Sequence, residues 1–177
     1  MHIAIFGSAF NPPTLGHADV IKQVIETHPY VNEIVLVPSF KHAFDKKMMD
    51  YYKRIAMLEL FASDLCCEKV KVVAIEHLMC RGDTPVYTFD LLEYIENEVF
   101  PNARLSFVIG PDNQQNWHKF YKSDEVAKRW HLLCVQERIH IRSTTVRKLL
   151  SDNQSIAKLV TTKVNGYLMN HRDSWIE

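Results

Sequence analysis

The sequence is short of the features that mark several large protein classes. Its four cysteines, Cys66, Cys67, Cys80 and Cys134, include no C-x-x-C spacing. Neither a disulfide framework nor a zinc site is expected, and the thiols read as reduced ones of a cytosolic protein. Charge of neither sign is in excess, since 21 Lys plus Arg balance 21 Asp plus Glu. The basic surplus of a protein held on nucleic acid by general electrostatics is missing, although a local anion site stays open. No segment reaches the roughly 20 apolar residues of a membrane span. The chain opens on the strand-like run Met1–Phe6 without the basic and apolar stretches of an export signal, so a cytoplasmic protein is expected. Glycine is scarce, at 5 residues, and neither G-x-G-x-x-G nor G-x-x-x-x-G-K-[ST] occurs. Dinucleotide reductases and Walker-type NTPases lose support accordingly.

What is present suffices for a core. Apolar and aromatic residues make up 47% of 177 residues, which argues against disorder and fits one domain, 1–177. Short runs dense in Val, Ile, Leu and Phe fall at His2–Ile5, Ile34–Val37, Val70–Ile75, Leu105–Ile109 and His131–Val135. They lack polar alternation, which suits strands of a parallel sheet buried on both faces. Between them lie helical patterns: Leu15, Ala18, Ile21 and Ile25; Ile55, Leu58 and Phe61 within 51–65; Leu91, Ile95 and Val99. Alternating strand and helix implies right-handed crossovers and an α/β layer fold. After Arg142 the pattern is helical, with helices expected at 143–153 and 156–171, the second interrupted by Gly166.

The most informative stretch is Phe6–Gly7–Ser8–Ala9–Phe10–Asn11–Pro12–Pro13–Thr14–Leu15–Gly16–His17, at the end of the first strand. Ligands of open parallel sheets bind beyond the carboxyl ends of strands. Gly7 allows close backbone approach, and Thr14 and His17, three residues apart, share one side of a helix start. Free N–H groups and partial positive charge there suit phosphate. A second helix start follows Ile141–Arg142, where Ser143 or Thr144 can cap, and Arg147 lies one turn in with a guanidinium able to grip phosphate.

The first stretch resembles the (H/T)xGH signature of the nucleotidyltransferase superfamily, and the longer GSAFNPPTLGH resembles the nicotinate/nicotinamide mononucleotide adenylyltransferases. Ile141–Arg147 is similar to the second signature, ISSTxIR, with Arg142 in place of its first serine. Further likenesses are Gly110–Pro111–Asp112 to a strand-ending GxD motif, Tyr87–Thr88–Phe89–Asp90 to an S-Y-T-x-D segment, and Lys46–Lys47 with Arg54–Leu58 to a basic residue before an R-x-x-M-L helix. One departure stands out. After Phe120 and Tyr121 the chain runs almost directly through 132–138 into the second signature, where the family has a longer insertion with another strand.

The resemblance implies a Rossmann-like, doubly wound, mainly parallel sheet of five or six strands, with helices on both faces and a helical C-terminus. It implies transfer of AMP from ATP to nicotinate or nicotinamide mononucleotide, with release of pyrophosphate, in NAD biosynthesis. Phosphate-borne Mg²⁺ is the implied cofactor, with no protein metal ligand nominated. The implied catalytic residues are His17, Thr14 and Arg147. ATP contacts fall to Gly7, Ser8, Phe10, Gly16, Gly110, Asp112, Ser143 and Thr144. Mononucleotide contacts fall to Asn11, Lys46, Lys47, Tyr87, Thr88, Trp117 and Phe120, with Tyr121 a further candidate for stacking on the pyridine. The expected partners are ATP and a pyridine mononucleotide, without nucleic acid or membrane, and a homo-oligomer is allowed. A pantetheine-phosphate adenylyltransferase, a cytidylyltransferase and a non-catalytic nucleotide-binding module of the same fold are the alternatives.

Overall fold

A computed structural model describes residues 1–41, 48–80, 82 and 84–172. Five strands form one sheet: β1 (His2–Ser8), β2 (Glu33–Pro38), β3 (Val70–Val72), β4 (Arg104–Ile109) and β5 (His131–Cys134). All pairings are parallel and the order is β3-β2-β1-β4-β5. The chain therefore winds outward from β1 in one direction and then returns to add β4 and β5 on the other side. The loops after β1 and β4 diverge at that switch point, and a crevice opens between them.

Successive β1 side chains go to opposite faces, which builds two cores. Ala4 joins Ile34, Leu36, Val108 and Leu133 beneath α1 (Leu15–Thr27), α2 (Tyr51–Asp64), α7 (Ser143–Ser151) and α8 (Thr162–Asn170). Ile3 and Ile5 join Val35, Val37, Leu105 and Phe107 on the other face, under α4 (Thr88–Tyr94) and α6 (Ser123–Arg129). Near-complete burial of such side chains, at about 1.5–3 kcal/mol each, explains why these runs carry no polar alternation. The short helices α3 (Glu76–Met79) and α5 (Pro111–Gln115) line the rim.

The sheet has five strands, the lower of the two expected numbers. The 91–99 periodicity becomes α4 followed by a wider, π-type turn over Ile95–Val99. The helix expected over 156–171 starts only at Thr162, and Gly166 lies inside it rather than ending it. The reason is a competition for hydrogen bonds. The Leu159 carbonyl, which a longer helix would direct to the Lys163 N–H, accepts instead from Leu15 N at 2.8 Å. Lys163 N in turn donates to Asp64 Oδ2 at 2.7 Å. The segment 156–161 thus serves as a cap for α1, and a side chain of α2 caps α8.

Candidate active site

The crevice is a cleft of about 530 Å³ at the carboxyl ends of β1 and β4. Its first wall is the loop from β1 into α1. Phe10 sits in the left-handed region at φ 45°, fully buried, a conformation held by its surroundings at a cost of order 1 kcal/mol or more. Its ring lies 5.0 Å from His17, and that of Phe6 lies 5.9 Å away. This apolar bracket pushes the imidazole pKa down to about 4, so His17 is neutral at physiological pH.

The tautomer follows from one bond. The Thr14 backbone N–H donates to His17 Nδ1 at 3.0 Å. A backbone N–H only donates, so Nδ1 is the acceptor and the ring proton is on Nε2. Nε2 lies 3.4 Å from Ser8 Oγ, and the ring lines the cleft. Thr14 and His17 therefore form a capping box in which histidine takes the place usually held by glutamate. Thr14 itself is fully buried and does not line the cleft. Its hydroxyl is 2.9 Å from Nδ1 and 3.3 Å from the Ile141 carbonyl. Sequence placed Thr14 on the same open side as His17; the structure makes it a support behind the imidazole.

The second wall is the start of α7. Arg142 occupies the N-cap position, not Ser143 or Thr144 as the sequence suggests. The two hydroxyls have other partners: Ser143 Oγ donates to the Pro12 carbonyl at 2.7 Å, and Thr144 Oγ1 accepts from Arg147 Nη2 at 3.4 Å. Arg147 Nη1 also donates to the Asn11 carbonyl at 2.7 Å. Both helix starts thus meet on the loop 10–14, and His17, Ser143, Thr144 and Arg147 all line one cleft. Gly16 makes the approach possible, because a Cβ there would lie 2.7 Å from the Ile141 carbonyl.

Charge pairing sorts the remaining groups. Asp112 is bound to Arg142, which also holds Glu137 at 2.9 Å, and the arginine keeps the Asp112 carboxyl below its usual range. Asp19 is paired with Arg138 at 2.6 Å. Arg147 differs, because among the described residues its partners are a carbonyl and a hydroxyl, and only burial acts on its pKa. It therefore brings a net positive charge to the cleft, as an anion site requires.

Gly7, Ser8, Phe10, Asn11, Gly16, Thr88, Gly110, Asp112 and Phe120 also line the cleft. Asn11 is buried, and its side-chain oxygen accepts from Met49 N at 3.2 Å. Trp117 is stacked on Phe120 at 4.9 Å, and Tyr87 meets Tyr121 with tilted rings at 5.0 Å; neither Trp117 nor Tyr87 is a lining residue. Lys46 and Lys47 lie outside the described residues.

Two buried charged residues, Arg54 and Glu76, lie beyond the site residues expected from the sequence. Arg54, 1% exposed, donates to the carbonyls of Met49 and Ala9 at 2.9 and 2.8 Å. Glu76 lines the cleft, accepts from Phe40 N at 2.8 Å, and is pushed up to about 7, mainly by burial. The R-x-x-M-L likeness flagged Arg54; nothing in the sequence flagged Glu76. No group of three or more His, Cys, Asp or Glu among the described residues is arranged to hold a metal ion. No described helix is long and apolar enough to cross a membrane.

Known proteins resemble the chain over most of its length. The cytidylyltransferase-like family model matches residues 5–160. A Caldicellulosiruptor bescii relative named a nicotinate-nucleotide adenylyltransferase is 28% identical, over 95% of this chain and 96% of its own. A Myxococcus xanthus relative of the same name is 27% identical, over 97% and 93%. A crystal structure from Vibrio parahaemolyticus, assigned the same name, superposes with a TM-score of 0.83 at 36% identity, over 99% and 96%. The Plasmodium falciparum nicotinic acid mononucleotide adenylyltransferase shares the fold at 18% identity, with a TM-score of 0.77 and coverage of 99% and 98%. With both signature helix starts on one cleft, the chain belongs to the cytidylyltransferase-like family and groups there with the nicotinate-nucleotide adenylyltransferases.

Proposed function

We propose that the protein transfers AMP from ATP to the 5′-phosphate of nicotinate mononucleotide, giving the dinucleotide and pyrophosphate. The observation that carries this reading is the convergence of His17 Nε2 and the start of α7 on one cleft, tied through Pro12 and Asn11. The names of the full-length relatives support nicotinate mononucleotide as the acceptor.

The acceptor phosphate oxygen is already anionic, so attack needs no proton abstraction. Its bond to the α-phosphorus forms as the α-phosphorus–oxygen bond to pyrophosphate breaks. Catalysis then rests on alignment and on donors aimed at developing charge. The His17 Nε2–H donates to an α-phosphate oxygen, and Thr14 keeps that proton on Nε2. Ser143, Thr144 and Arg147 hold the departing phosphates through first-turn N–H groups and the unneutralised guanidinium. Gly7, Ser8, Phe10, Gly16, Gly110 and Asp112 make up the rest of the ATP wall. Asn11, Thr88 and Phe120 bound the mononucleotide side, with Trp117 and Tyr87 behind. Asp19, Asp112 and Glu137 are engaged by arginines, so Mg²⁺ would keep phosphate and water ligands there and would neutralise phosphate charge.

The test is pyrophosphate release by the purified protein with ATP and Mg²⁺. Nicotinate mononucleotide, nicotinamide mononucleotide and phosphopantetheine are offered in parallel, with CTP replacing ATP in one arm. The highest kcat/KM is expected with ATP and nicotinate mononucleotide. Faster turnover of phosphopantetheine or of CTP would transfer the chain to another branch, and no release with any acceptor would make it a binding module.

A further inference from the structure

The segment 135–142, between β5 and α7, has no regular secondary structure, yet it must hold Ser143, Thr144 and Arg147 against the first loop. β5 is an edge strand of the sheet, so the backbone that follows it has no further strand to pair with. A side chain takes that place. Gln23 Nε2 donates to the Gln136 carbonyl at 2.8 Å, and Gln23 Oε1 accepts from Gln136 N at 3.0 Å. One primary amide thus satisfies both backbone groups of a residue, as a neighbouring strand would. Two residues on, Arg138 forks onto Asp19, with Nε 3.1 Å from both carboxylate oxygens and Nη2 at 2.6 Å. The two anchors are themselves joined, Gln23 Nε2 to Asp19 Oδ2 at 2.9 Å, and both are at least nine-tenths buried. At its far end the strap meets Thr14 Oγ1 and Gly16 through the Ile141 carbonyl.

Gly16, Asp19 and Gln23 are spaced three and four residues apart, so they form one stripe of α1. The helix whose first turn carries His17 thus also fixes the strap leading to the other phosphate wall. Resting on the adenylyl-transfer reading, we infer that Gln23 and the Asp19–Arg138 pair are positioning residues for ATP, setting the distance between the two helix starts. Asp19 and Arg138 border the cleft, whereas Gln23 does not line it, so the effect of Gln23 passes only through the strap to α7.

The test compares Gln23→Met, which keeps the volume and removes both amide bonds, with Arg138→Lys, which keeps the charge and removes the fork. Steady-state kinetics are read for each substrate, and ATP and AMP affinities are read by calorimetry without acceptor. In each variant the KM for ATP and the Kd for ATP should rise five- to twentyfold. The KM for the mononucleotide should stay within twofold, and AMP affinity should fall much less than ATP affinity. Unchanged ATP constants in both variants would overturn the inference. So would equal rises for both substrates, or a loss of kcat at unchanged KM that tracks the folded fraction. If Gln23→Met does not fold, Arg138→Lys decides alone. Calorimetry separates the two readings: wild-type protein that binds ATP without any transfer defeats the functional proposal and leaves the strap under test.

Discussion

The two helix starts that face the cleft are built in opposite ways. At α1, the orienting contact for His17 comes from Thr14, three residues away. At α7, the contacts that set Ser143 and Arg147 come from Pro12 and Asn11, 131 and 136 residues away. The strap adds contacts of the same range, between Arg138 and Asp19 and between Gln136 and Gln23. At the first start the imidazole is oriented within its own turn, although Leu159 caps the helix from afar, whereas the second is only as well placed as the packing that brings it there. The first offers one neutral donor fixed in its tautomer; the second offers a positive charge and free N–H groups. The first suits the reacting phosphorus, and the second suits the grip on the departing phosphates.

That division can be broken at several points. His17→Ala should have the largest effect, lowering kcat by roughly 10²-fold or more, the range for loss of one transition-state donor. The KM for ATP should move little, as read from initial rates over an ATP series. Arg147→Ala should act on binding: loss of charged hydrogen bonds worth about 1.5–3 kcal/mol corresponds to a roughly ten- to hundredfold rise in the KM for ATP. Pyrophosphate should weaken equally in the reverse reaction. If His17→Ala raised KM and Arg147→Ala lowered kcat alone, the assignment of the two starts would be inverted.

Gly16→Ala probes the contact between the walls. Its methyl would meet the Ile141 carbonyl, and overpacking of about 1–3 kcal/mol should lower Tm by roughly 2–4 °C per kcal/mol. The KM for ATP should rise severalfold as α7 is displaced.

The smallest effect concerns pH. Glu76, raised to about 7 by burial, binds more protons folded than unfolded from its ordinary value of 4.5 up to about 7. Stability is therefore lost as pH climbs through that window. His17 has the opposite sign, since its lowered pKa makes stability fall as pH drops from 6.5 towards 4. Glu76→Gln should remove the first slope and keep the second, which Tm measurements from pH 4 to 8 would resolve.

The same contrast of local and distant contacts explains what could be read from the sequence. The strands, the crossovers and the T-x-x-H helix start are patterns within a few residues, and each was legible. The fate of Thr14's side chain was not, because its burial depends on Ile141 arriving from the far end of the chain. The late start of α8 was hidden for the same reason, since Leu15 and Asp64 compete for the bonds that a longer helix would use. Asp19 and Gln23 lie off the Leu15, Ala18, Ile21 and Ile25 stripe that the sequence offers to the core, yet both are buried. A buried Asp and Gln call for partners, and those partners lie more than 110 residues away.

The central claim is that a neutral imidazole, protonated on Nε2 by virtue of the Thr14 N–H, faces the nucleotide between the two starts. Nitrogen-15 NMR of the labelled imidazoles, recorded from pH 4 to 8 with and without ATP, tests this most directly. Nδ1 of His17 should be an unprotonated acceptor, with the proton on Nε2 throughout the neutral range. Protonation should begin only near pH 4 to 5 without nucleotide, and the Nε2–H signal should shift when ATP binds. An Nδ1–H tautomer, an imidazolium at pH 7, or an Nε2–H signal indifferent to ATP would contradict it.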